Sequence, residues 1–125
     1  MKRLVGLGLV AGMVLLGAAP TSASTDTFTG AWAATDTGDG SAVVATIGAA
    51  GSDAVRRVTL VDQFASACDA PATADGWGVT SGSRLSATLD VRCGGAPYAQ
   101  DVPYTFQATG ATLLADGLVF RRMGR

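Results

Sequence analysis

Histidine and glutamate are absent from the 125-residue chain, and its one lysine, Lys2, stands at the N-terminus. Without histidine, no Ser-His or Cys-His pair can activate a nucleophile. Without a lysine beyond Lys2, the amine needed for Schiff-base chemistry is missing too. Two cysteines and no histidine are too few ligands for a zinc site. Paired carboxylates, as glycosidases use, need only aspartate. Yet Asp36, Asp39, Asp53, Asp69 and Asp116 all fall in expected turns, where aspartate serves the backbone. Asp36-x-x-Asp39-Gly40 opens like a calcium loop but lacks the later ligands and the closing glutamate, and it reads as a turn. The chain is therefore expected to be no enzyme and to carry no metal or cofactor.

Long apolar runs are confined to one place. Met1-Lys2-Arg3 is a positive head, residues 4–16 are apolar apart from glycine, and Thr21-Ser22-Ala23 ends a small-residue tail. That is the layout of a secretory signal peptide over 1–23. The uncharged run over 4–19 is 16 residues long, short of the roughly 20 that cross a bilayer. No cysteine follows it to accept a lipid. Cleavage after Ala23 would leave 24–125, 102 residues forming one secreted domain with no membrane anchor. Its seven arginines against ten aspartates give a formal charge of −3, a poor surface for phosphate, so no nucleic-acid partner is expected. An even pair of cysteines in an exported chain predicts one disulfide, Cys68–Cys93.

Helical spacing is scarce as well. What is present is alternation. In SGSRLSATLDVRC, Leu85, Ala87, Leu89 and Val91 share one parity, while Arg84, Ser86, Thr88, Asp90 and Arg92 share the other. One face of that strand is dry and the other wet. Similar runs predict eight strands, near 27–35, 41–48, 54–62, 73–80, 84–93, 101–107, 111–115 and 118–122. Gly-, Asp- and Ser-rich separators divide them, Asp116-Gly117 suits a tight primed turn, and residues 64–68 could form one helical turn. Short separators make consecutive strands neighbours. The fold expected is an all-β, antiparallel, up-and-down eight-stranded barrel, which removes both sheet edges. A β-sandwich is the alternative, since Cys68, Trp77 and Cys93 echo the immunoglobulin pattern, though the cysteines lie too close together for it. With strand 1 rising, Cys68 and Cys93 both fall at the upper end of neighbouring strands, where a bridge can form. The dry face of residues 85–91 should be buried with Trp32, Val43, Ile47, Leu60, Trp77, Tyr104, Phe106, Leu113 and Phe120.

Thr29-Gly30-Ala31-Trp32, followed by Gly40-Ser41, resembles the opening of the calycin-type barrels, the lipocalins and avidins. The likeness covers about 20 residues there and the doublet Arg121-Arg122 near the C-terminus. It implies that Trp32 plugs one barrel end with a late arginine packed on it. Gly30-x-Trp32, Cys68, Ser81-Gly82-x-x-Leu85, Cys93 and Asp116-Gly117 also resemble small exported bacterial domains of unknown function. Parity places Phe28, Arg56 and Arg122 with Trp32 at the lower end, so a plug of Trp32, Arg56 and Arg122 is expected. A guanidinium on an indole is a favourable contact. Ser41 matches the early Gly-Ser of avidins, but the tyrosine and most of the tryptophans that hold biotin are missing, so biotin is not the expected ligand.

The upper connections are longer than the lower ones, and loops on a rigid barrel carry recognition. Asp62, Asp75 and Asp101 stand at upper strand ends, and Trp77 shares a parity with Asp75 and could form an aromatic wall below them. These four are the candidate ligand-binding residues. The leading expectation is a binding module for a small apolar, neutral or cationic ligand in the upper mouth. The alternative is a structural or interaction domain, a filled barrel that acts on an extracellular protein through its outer surface or loops. An eight-stranded barrel is wide enough for either.

Overall fold

The computed structural model describes residues 26–51 and 54–124, with eight strands and no helix among them. They are β1 (Gly30–Thr35), β2 (Ala42–Ile47), β3 (Val55–Ala65), β4 (Ala70–Ser81), β5 (Arg84–Cys93), β6 (Ala96–Thr109), β7 (Thr112–Ala115) and β8 (Leu118–Arg122). Each strand pairs antiparallel with the next, and β8 returns to β1 through Trp32↔Arg122 and Ala33↔Arg121. The result is the closed up-and-down barrel expected from the sequence, and not a sandwich. The leader expected over 1–23 lies outside the described residues.

Two upper connections differ from expectation. The segments around 63–72 and 94–100 are not long loops: β3–β4 and β5–β6 keep pairing and close in a turn over 66–69 and at Gly94-Gly95. The 66–69 turn keeps one helix-like bond, from Asp69 N–H to the Ala65 carbonyl. β3 to β6 therefore run for 10–14 residues, against 4–6 for the other four strands. One side of the barrel rises above the rim. The Cys68–Cys93 disulfide, with Cα atoms 5.4 Å apart, laces that tall side across β4. Asp116 and Gly117 both have positive φ, 51° and 77°, as the tight β7–β8 turn requires.

Side-chain size is graded along the axis. The lower barrel is filled by Trp32, Ile47, Val58, Leu85, Phe106, Leu113 and Phe120, all buried, with Phe106 and Phe120 edge to face at 5.7 Å. One layer higher the inward positions shrink to Ala34, Ala72, Ala74 and Ala115, with Val43 and Leu60. Large residues fill the lower interior of the barrel, and alanines above leave room at the mouth. Leu85, Ala87 and Leu89 are buried as their parity demanded, and Val91, nearer the rim, is half-buried.

β4 reverses its expected parity. Trp77 and Val79 point outward, 57% and 50% exposed, while Ala72, Ala74, Gly76 and Gly78 take the inner face. The cause is steric. A Cβ at Gly76 would run into the Thr88 carbonyl oxygen, and one at Gly78 would meet Leu85 Cδ1 at 2.8 Å. β5 presses so closely on β4 that only the small parity fits inside.

Candidate functional site

The barrel has two chemically distinct ends. At the closed base, Trp32 is 2% exposed and its Nε1–H donates to the Phe28 carbonyl at 2.9 Å. The Arg122 guanidinium lies over the indole, 4.3 Å from the ring centre, and donates to the carbonyls of Asp26, Thr27 and Thr29. Arg56, 4% exposed, covers Phe28 at 5.7 Å and reaches Asp26 Oδ1, Thr29 Oγ1 and the Gly48 carbonyl at 3.1–3.2 Å, with Nε on Thr80 Oγ1. Arg122 thus packs on Trp32 and Arg56 on Phe28, and both arginines bond the segment over 26–29.

Burial on its own would raise the Asp26 carboxyl. The Thr29 hydroxyl, the Thr29 and Phe28 N–H groups and the Arg56 guanidinium outweigh it and hold the group at about 2, below the usual 3.8. A depressed folded-state value means the carboxylate contributes stability above about pH 3.8, and that contribution is lost as the pH falls through about 2. Urea unfolding of the 24–125 protein should therefore shift to lower midpoints across that window. Asp26→Asn should flatten the acid-side fall; an unchanged slope would show that another carboxylate governs it.

At the open end, a cleft of about 270 Å³ lies where the alanine layer meets the rim. Asp36, Asp62 and Asp116 line it with Tyr104, over an apolar wall that includes Val43, Leu60, Ala74 and Leu118. No arginine or lysine lines it. Each carboxylate arrives from a different upper segment: the β1–β2 turn, the upper part of β3 and the β7–β8 turn. Asp62 Oδ1 accepts from the Phe64 N–H at 3.1 Å and Asp36 Oδ1 from the Gly38 N–H at 2.8 Å. Asp116 takes no side-chain hydrogen bond among the described residues. Burial, and then the nearby Asp116 and Asp62 charges, push the Tyr104 hydroxyl above the ordinary phenol range. It stays protonated, and its ring is braced edge-on by Phe106 at 5.2 Å.

Of the four residues expected to bind ligand, only Asp62 lines this cleft. Asp75 is on the outer wall, 2.7 Å from Arg57 and 3.6 Å from Arg92. Trp77 is outside with it, its ring under the Arg57 guanidinium at 5.3 Å, and forms no wall to the mouth. Asp101 is exposed at an irregularity of β5–β6, with positive φ and its N–H on Asp90 Oδ1 at 3.1 Å. Asp75 and Trp77 follow the reversed parity of β4, and Asp101 follows the bulge. Asp36 and Asp116 serve turns, as expected, and they line one cleft with Asp62 because barrel closure sets the top of β1 beside the start of β8. No protein-family model, curated protein or solved structure matches the chain.

Proposed function

We propose that this chain is an exported β-barrel binding module that holds a small organic cation in its upper mouth. The observation that carries the reading is the convergence of Asp36, Asp62 and Asp116 on one cleft that no basic side chain lines. Three carboxylates in a recess with low-dielectric walls focus negative potential there. The Tyr104 hydroxyl oxygen offers an acceptor, and Val43, Leu60 and Leu118 offer apolar contact, so an ammonium with a short apolar body fits best. A disulfide is compatible with an extracellular setting, and among the described residues no helix is long and apolar enough to cross a membrane.

Three ligands of equal size and different charge test this: phenethylamine, 2-phenylethanol and phenylacetate, titrated calorimetrically into the 24–125 protein. The amine should bind best and the carboxylate worst. The double variant Asp62→Asn, Asp116→Asn should weaken the amine by roughly tenfold or more and leave the alcohol little changed, since the loss is electrostatic. Equal binding of all three, or of none, would reject the cation reading.

One observation favours the second reading, an interaction domain that works through its wall. Trp77 exposes most of its indole beside Val79 on the outer face of β4. Trp77→Ala would then abolish capture of a partner protein without affecting amine binding.

A further inference from the structure

Charge is sorted along the barrel axis. Asp36, Asp62 and Asp116 face the mouth, while Arg56, Arg121 and Arg122 gather at the base with Asp26 as their carboxylate neighbour. Asp26 is engaged by Arg56, 3.1 Å away. Arg122 holds only backbone carbonyls and the Trp32 ring, which accept hydrogen bonds but carry no compensating charge. Arg121 is exposed and has no hydrogen-bond or ion-pair partner among the described residues. Two guanidiniums without a carboxylate within ion-pair distance, adjacent in sequence, are an unbalanced pair.

They are also not on a flat surface. Both line an open groove of about 540 Å³ between the coil before β1 and the β6–β7 turn. Thr27, Trp32, Gly110, Ala111 and Thr112 complete its lining. A volume of that order suits a ligand larger than a bare inorganic ion. Arg122 spends three of its five N–H groups on the Asp26, Thr27 and Thr29 carbonyls, which fixes its plane and leaves the rest to donate. Arg121 brings a full fork. Planar forks match carboxylate and phosphate oxygens, and partial desolvation strengthens the pairing.

We propose that the barrel base is an oxyanion site, binding the carboxylate or phosphate group of a small organic anion in the groove that Arg121 and Arg122 both line. The site is independent of the cation-binding mouth and lies at the opposite end of the axis. The acidic rim repels an anion, and the base attracts it, so the two ends of one barrel select opposite charges.

Calorimetric titration of the 24–125 protein with phenyl phosphate, benzoate and inorganic phosphate tests the site. Phenyl phosphate or benzoate should bind saturably at one site, more tightly than inorganic phosphate, and more weakly as salt is raised. Tighter phenyl phosphate assigns a phosphate monoester, and tighter benzoate assigns a carboxylate; both support the site. Arg121→Gln removes an exposed side chain, so the fold should survive, as thermal melting can verify, and affinity should fall tenfold or more. Arg84→Gln deletes the same charge at the lower end of β5, away from the groove, and should leave affinity within about twofold. No saturable binding of any of the three anions overturns the proposal, and so does equal weakening by the two substitutions.

Discussion

Trp32→Ala should lower the unfolding free energy by about 3–5 kcal/mol, the range for emptying a buried aromatic site. Trp32 is 2% exposed, so the side chain leaves a void that the rigid strands around it cannot close. The Phe28 carbonyl loses the indole N–H, and the Arg122 guanidinium loses the ring it covers at 4.3 Å. For a domain of this size the thermal midpoint should drop by roughly 15–30 °C. Trp32→Phe keeps most of the volume and gives up the hydrogen bond, and should cost clearly less. Urea unfolding followed by circular dichroism measures both. A loss below about 1 kcal/mol for Trp32→Ala would mean that the base is not a packed plug.

The contrast between Leu89 and Asp90 should be nearly as large. Leu89 is 1% exposed on the inner face of β5, and Leu89→Ala should cost about 2–5 kcal/mol. Asp90, one residue on, is exposed and accepts a single hydrogen bond from the Asp101 N–H. Asp90→Ala should cost about 1 kcal/mol or less. The two variants, compared by the same urea curves, read the strand's parity directly. Similar losses would place the wrong face inside.

Much of the fold was legible because a strand's period of two is written into which residues are apolar. β5 alternates cleanly, so the burial of Leu85, Ala87 and Leu89 followed from the sequence alone. Turn chemistry was equally readable: Asp116-Gly117 requires left-handed backbone, and both residues adopt it. The Cys68–Cys93 bridge followed from counting strand directions, which put both cysteines at the upper end of neighbouring strands. The mouth was less legible. β4 offers two parities, one large and apolar with Trp77 and one small with Gly76 and Gly78, and apolarity points to the wrong one.

The sequence by itself determined the number and order of the strands, since these depend on local alternation and turn residues; the pairing of β8 with β1 decided that they close as a barrel and not a sandwich. Tertiary structure decided which face of β4 turns inward, because that depends on how closely β5 approaches the glycines. It also decided that Asp36, Asp62 and Asp116 share one cleft. Residues that far apart along the chain meet only when the barrel closes, and no local pattern records the distance between them.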